Sequence, residues 1–292
     1  MLIQNRQLNT TQLEDLSQLT QTCAAKDGGS QTIYYDLLQQ KRDTESNILL
    51  YQQETLIGFL SLYFFYEHAC EANLLIAPEF RYKGIASQIF TRIMPLLNMR
   101  EMKEIILSNS SLTPNQWLEE MAFVYHHSEY YMMRQSYEPL LIGNPLLSLR
   151  KATLADLSSL CNIDAACFSV HQNMVERFAY LLNDNSYTVL LALNDQIPMG
   201  KAHIQWKPDS AHFSDIAILP SFQRKGLGSE LLAHCINEAL SMGRMIIDLN
   251  VEASNQRALN LYQKYGFKVK NKQDYWSIQI DKLQAMLPII RY

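Results

Sequence analysis

Gly226 and Gly228 stand where a predicted strand ending at Leu219-Pro220 passes through Ser221-Phe222-Gln223-Arg224-Lys225 into a predicted helix. A turn of that form points several backbone N–H groups one way, at the positive end of a helix dipole, which suits phosphate oxygens. Glycine at both positions lets the backbone approach a ligand closely, because no Cβ intervenes. Arg224 and Lys225 add positive charge at the rim. Downstream comes Asn255-x-x-Ala258-x-x-x-Tyr262-x-x-x-Gly266-Phe267. On a helix, steps of three and four bring Asn255, Ala258 and Tyr262 to nearly one face. Ala258 allows close approach, and Tyr262 presents a phenol beside it. Taken singly, each pattern also fits a surface turn or an aromatic packed at a helix end.

Together the two patterns resemble the GCN5-related N-acetyltransferase (GNAT) family. The family's acetyl-CoA pyrophosphate loop has the form Gln/Arg-x-x-Gly-x-Gly/Ala, and its later helix carries the Asn, Tyr and Gly-Phe positions. The resemblance implies that Gln223, Arg224, Lys225, Gly226, Leu227, Gly228 and Ser229 hold the pyrophosphate. It implies that backbone groups around Ile218 pair with the pantetheine arm, that Asn255 hydrogen-bonds the coenzyme, and that Tyr262 protonates the departing thiolate. It further implies direct attack of an amine on the thioester, with a strand N–H steadying the oxyanion. Some relatives carry Glu at the strand position of Asn250; asparagine there can only orient water. The base therefore stays open among Asp215, His203, His212, Glu252 and a water chain. The expected function is an acetyl-CoA-dependent N-acetyltransferase acting on the amine of a small molecule or peptide. The alternative is a non-catalytic acyl-CoA-binding or sensing protein. The acceptor cleft is expected over Asp164–Asn185, where Phe168, His171, Gln172, Met174, Phe178 and Tyr180 form no repeated charge pattern.

The phosphate run occurs twice. Arg81-Tyr82-Lys83-Gly84-Ile85-Ala86 matches Gln223 to Gly228 at an offset of 142 residues, and Pro78, Phe80 and Gly58 match Pro220, Phe222 and Gly200. A repeat this long is a duplicated domain, since solenoid periods are roughly 20–50 residues. Arg81, Tyr82, Lys83, Gly84, Ile85 and Ala86 are therefore also candidate coenzyme contacts. The second pattern is degraded in the first copy: Leu118 stands where Tyr262 does, and Ala122 where Gly266 does. Leucine cannot protonate a thiolate, so catalysis is expected in the second copy alone.

These motifs need a scaffold of strands and helices. The expected layout is α/β: two tandem GNAT-like domains, each a mixed, mostly antiparallel sheet flanked by helices. The expected segments are 1–137, a join at 138–147 containing Pro139, Gly143, Asn144 and Pro145, and 148–292. Thr11-x-x-Glu14 and Thr153-x-x-Asp156 read as capping boxes opening the first helix of each copy. A second helix is expected over Thr32–Lys41, and Phe267–Val269 with Tyr275–Ile280 as a closing strand pair.

Composition narrows the remainder. A length of 292 residues with 48% hydrophobic content allows two buried cores and argues against disorder. The net charge of −4, without a basic run, argues against broad nucleic-acid binding. The five cysteines lack C-x-x-C spacing and read as buried small hydrophobes rather than a disulfide or zinc framework. His126 and His127 are adjacent on a predicted strand, so they face opposite ways and are poor joint metal ligands. No metal is expected. Met1 to Asn9 lacks an apolar signal core, and Leu56 to Tyr66 is too short to span a bilayer. A cytoplasmic monomer or homodimer, with no membrane partner, is the expectation.

Overall fold

The computed structural model describes residues 1–143, 147–168 and 174–287; His171, Gln172, Asn144 and Pro145 lie outside the described residues. The chain forms two compact units, Met1–Glu129 with Asn271–Tyr292, and Tyr130–Lys270. Along the sequence come β1 (Leu2–Asn5), α1 (Thr10–Asp27), α2 (Tyr35–Leu38), β2 (Asn47–Gln52), β3 (Thr55–Tyr63), β4 (Ala69–Ile76), α3 (Ile85–Met99), β5 (Glu104–Ser110), α4 (Gln116–Glu120) and β6 (Val124–Gln135). The second copy follows as β7 (Ser148–Lys151), α5 (Leu157–Cys167), α6 (Val175–Asn183), β8 (Tyr187–Asn194), β9 (Ile197–Trp206), β10 (Ser210–Ile218), α7 (Leu227–Ser241), β11 (Ile246–Glu252), α8 (Gln256–Lys264), β12 (Lys268–Gln279) and α9 (Ile280–Met286). Among the described residues no helix is long and apolar enough to cross a membrane.

In the first unit the strand order is β1-β2-β3-β4-β5, then the β12 residues, then the first part of β6. In the second it is β7-β8-β9-β10-β11 and then the second part of β6. Each unit's sheet is antiparallel through its hairpins and contains a parallel pair, β4 with β5 and β10 with β11. Side-chain alternation gives each sheet two apolar faces. Phe90, Ile93 and Leu97 of α3 cover Ile48, Leu60 and Ile105, while Leu16 and Leu19 of α1 cover Leu49, Phe59 and Leu75 on the other side. In the second unit Leu231, Leu232 and Ile236 of α7 cover Phe213, Ile247 and Leu249, and Leu160, Ile163 and Phe178 of α5 and α6 cover Val189, Leu191 and Leu193.

Two local expectations change and one holds. The α1 capping box is Asn9 with Gln12, which exchange side-chain and backbone bonds, rather than Thr11 with Glu14. The Thr153–Asp156 box forms as expected. The helix expected over Thr32–Lys41 contracts to α2, because the backbone beyond it turns to pair elsewhere: Leu8 N–H donates to the Leu38 carbonyl and Arg42 N–H to that of Arg6.

The closing strand pair is instead the single strand β12, and its course differs from two continuous segments meeting at 138–147. From Asn271 onward the strand belongs to the first unit, where Gln273–Gln279 pair antiparallel with Ser110–Glu104 of β5. β6 does the reverse: from Tyr130 it belongs to the second unit, where it lies beside β11. Each copy thus supplies the end of its last strand to the other copy's sheet, and an open strand edge is covered in both.

Candidate active site

The parallel pairs open both sites. β4 and β5 pair from Ala69↔Glu104 to Ala72↔Leu107 and then part, though both strands continue. β10 and β11 pair from Ser210↔Ile246 to Phe213↔Leu249 and part likewise. Each splay leaves backbone groups without a strand partner, a slot that an extended ligand with amide groups could fill.

Beyond each splay the chain turns into a helix in the same backbone form. Arg224 and Gly226 take φ of +64° and +79°; Tyr82 and Gly84 take +58° and +77°. No side chain caps α7 or α3. The first bonds closing these helices are Glu230 N–H to the Gly226 carbonyl and Gln88 N–H to that of Gly84. The N–H groups of Leu227, Gly228 and Ser229, like those of Ile85, Ala86 and Ser87, therefore point out of their helix ends. This donor set fits a diphosphate.

The side chains around the two cradles differ. Arg81 donates through Nε to the Ile76 carbonyl (3.1 Å) and pairs bidentately with Asp27 at 2.6 and 2.8 Å. Its charge is thus matched by a carboxylate. In the second unit Gln223 takes Arg81's place, donating to the Ile218 carbonyl (2.9 Å) and accepting from Arg257 of α8 (3.2 Å). The Ile218 carbonyl also faces the Cys167 thiol at 3.5 Å, so it is engaged within the protein. Arg224, Lys225 and Arg257 leave the second loop the more cationic. The first unit contains a cavity of about 370 Å³ between its parted strands, lined by Leu75, Leu107, Ser108, Trp117 and Leu118 with the Arg81–Ser87 loop.

Helix α8 is fixed at both ends. Asn255 caps it by accepting from Ala258 N–H (3.1 Å), so its Oδ1 serves its own helix. At the other end Arg134 of β6 donates to the Tyr265 carbonyl (3.0 Å), and Gly266 leaves the helix with φ +87°. Between them Tyr262 is half-buried, packed edge-on against Phe267 at 5.8 Å. Burial, with a smaller push from Cys235, raises its phenol to about 12, so it is protonated at neutral pH. In the first unit Leu118 is buried in the short α4, and Ala122 adopts φ +59° where Gly266 stands in the other copy.

The β9–β10 pairing is broken by a bulge between Ser214 and Ala217, with Asp215 at φ +51°. The corresponding register in β3–β4 is unbroken from Gly58↔Ile76 to Tyr63↔Glu71. Gly200 permits the bulge, since a Cβ there would lie 2.5 Å from the Ala217 carbonyl oxygen. The bulge turns Asp215 toward the α5–α6 face, where His203 Nδ1 stands 3.0 Å and Arg177 3.6 Å away. Burial alone would raise the Asp215 carboxyl, but His203, Lys201 and Arg177 hold it well below the usual carboxylate range. Burial lowers His203 against the pull of Asp215. Lys201, fully buried, pairs with Asp164 at 2.7 Å among the rings of Phe168 and Phe178. Asn250 is exposed on β11, and Glu252 is exposed and accepts from the Ser254 hydroxyl. His212 pairs with Asp248. That pair was not legible in the sequence, where only the polar alternation of the two strands hinted at a shared face. His126 and His127, expected to face opposite ways on a strand, instead bring their ring nitrogens to 2.8 Å, because both imidazoles fold back over the β6 backbone edge they share.

Two parted parallel strands, the first of them leading into an uncapped helix, occur twice in one chain, and the family model for "Acetyltransferase (GNAT) family" matches both stretches, residues 13–123 and 157–267. The chain belongs to the GNAT family. Among solved structures, a GCN5-related N-acetyltransferase from Sphaerobacter thermophilus superposes with a TM-score of 0.78 at 14% identity, covering 96% of each chain. A tandem GNAT protein from the clavulanic acid biosynthesis pathway superposes with a TM-score of 0.72 at 10% identity, covering 96% of this chain and 98% of that one. At these identities the likeness establishes the fold. In sequence, the ribosomal protein bS18-alanine N-acetyltransferase of Salmonella typhimurium is 46% identical over 59 residues, which covers 20% of this chain and 40% of that protein. This GNAT chain therefore matches less than half the length of that relative.

Proposed function

We propose that this chain is an acetyl-CoA-dependent N-acetyltransferase whose second unit performs the transfer, to the amine of a small molecule or peptide. The observation that carries the reading is the coincidence, in the second unit, of an uncapped phosphate cradle, a bulged strand at the splay and a neutral phenol on α8. The first unit has the cradle but neither the bulge nor the phenol.

When bound, acetyl-CoA supplies a thioester open to attack by an amine. In this reading the N–H groups of Gly226 to Ser229 hold the diphosphate, with Arg224 and Lys225 adding charge. The edge of β10 that β11 leaves beyond Phe213 aligns the pantetheine arm on the way to Ile218, whose own carbonyl is held by Gln223 and Cys167. The bulge frees a strand N–H for the developing oxyanion. Asn255 orders the start of α8 and Tyr262 donates its proton to the leaving sulfur. Asn250 orients a water on the acceptor side. The Arg81–Ala86 cradle binds the coenzyme without transfer, more weakly because Asp27 matches the charge of Arg81.

Thiol release from acetyl-CoA, measured with polyamines, aminoglycosides, amino acids and peptide N-termini, tests the reading. Tyr262→Phe is expected to lower kcat about 100-fold, the usual worth of a positioned acid, with CoA affinity retained. A wild type that binds CoA yet releases no thiol with any amine would make the chain a binding protein instead.

A further inference from the structure

The proposed reaction still lacks a group to take the proton from the attacking amine, and four side chains on the α5–α6 face of the second unit were open for that role. His203 is 1% exposed, and burial keeps it from solvent and substrate alike. Asp215 is engaged by His203 and Arg177 and held strongly acidic, which makes it a poor proton acceptor. Glu252 stands on the exposed end of β11 and accepts from the Ser254 hydroxyl. His212 differs from all three. Its neighbours Ala211 and Phe213 point into the α7 core, as do Ile247 and Leu249 beside Asp248, so His212, Asp248 and Asn250 share the opposite face. The parallel register sets His212 directly opposite Asp248, one rung before the strands part. Its Nδ1 lies 2.5 Å from the Asp248 carboxylate; the imidazole is 24% exposed and the carboxylate only 6%.

Resting on the transferase reading, we propose that His212 is the general base for the incoming amine and that Asp248 is the residue that positions it. An ionised carboxylate can only accept, so Nδ1 carries the ring hydrogen and donates it to Asp248. That fixes the tautomer and leaves the Nε2 lone pair on the side away from Asp248, the arrangement that suits a histidine base. No hydrogen bond to Nε2 exists among the described residues. The step balances within the site: the amine nitrogen forms the C–N bond, its proton passes to Nε2, the C–S bond breaks and the sulfur takes the Tyr262 proton. The tyrosinate and imidazolium then exchange with water, and amine plus thioester become amide plus thiol.

Two measurements test this. In the free protein, nitrogen-detected NMR of the ring, assigned by its loss in His212→Gln, should show hydrogen on Nδ1; hydrogen on Nε2 overturns the proposal. In turnover with the best amine of the panel, His212→Gln should lower kcat about 100-fold while KM for acetyl-CoA holds. A carboxylate can replace imidazole as base where an amide cannot. His212→Glu combined with Asp248→Asn should therefore exceed His212→Gln with Asp248→Asn by about tenfold, taken as partial recovery of that base contribution. Equal rates for the two double variants, or full activity in His212→Gln, overturn the assignment while leaving the transferase reading intact. A wild type silent with every amine overturns both.

Discussion

Tyr262 can serve as an acid only while it holds its proton, and burial against Phe267 ensures that by raising the phenol to about 12. Asp215 is shifted the other way, and this has a consequence for stability. Its folded-state value lies below the unfolded one, so its stabilising contribution is complete above the ordinary aspartate range of about 4 and declines as pH falls toward the folded value. Asp215→Asn should therefore lower Tm at neutral pH, with the gap to wild type closing in acid; a gap that is constant from neutral to acid pH would show that the ion pairs contribute nothing. At the first cradle, Asp27 matches Arg81 bidentately. Asp27→Asn should tighten CoA binding at that unit about fivefold, worth roughly 1 kcal/mol for a partly exposed pair. Calorimetric titration resolving two sites would register it, and an unchanged weaker site would count against coenzyme binding there. The places of Tyr262 on α8 and of Gly226 and Gly228 at the start of α7 were legible in the sequence because each belongs to a contiguous motif. The Asp27–Arg81 pair was not, because its partners come from the end of α1 and the turn between β4 and α3.

Among the elements, the bulge in β10 separates the two copies most clearly. Its position depends on Gly200, whose missing Cβ leaves room for the Ala217 carbonyl. Gly200→Ala should cost about 1–3 kcal/mol through overpacking. On the proposed reading it should also depress kcat more than coenzyme affinity, because β10 shifts at the bulge while the Gly226–Ser229 turn stays in place. Chemical denaturation and steady-state kinetics on one preparation would separate these effects; a destabilised variant with normal kcat would detach the bulge from catalysis. Most element positions followed from periodicity and punctuation: Gly28 ends α1, Gly226 opens α7, and Asn194-Asp195 marks the turn between the apolar runs of β8 and β9. The start of α1 did not, since Asn9 and Thr11 are both competent caps and tertiary contacts chose between them. The helix expected over Thr32–Lys41 failed for a related reason: propensity favoured it, but its backbone groups found partners near β1.

For the molecule as a whole, the exchange of strand ends makes each unit depend on sequence from the other copy. Trp276, Ile278, Ile280, Leu283 and Leu287 are buried in the first unit's core. Burying five such side chains contributes on the order of 10 kcal/mol, comparable to the entire stability of a domain. A chain ending at Lys270 should therefore lose residues 1–129 to limited proteolysis while 130–270 resists, and survival of the first unit would refute the dependence. A fragment starting at Ser148 would lack Arg134, which holds the end of the Tyr262 helix, and should bind CoA but turn over slowly. The sequence by itself determined the duplication, the α/β class, the two glycine turns that open α3 and α7 and the placing of the phenol in one copy, because local spacing and backbone preference encode all of these. Only the tertiary structure decided which strand completes which sheet, where β10 bulges, and that His212 lies opposite Asp248. Those are matters of register between segments far apart in the chain, and a one-residue slip would turn every such side chain to the other face.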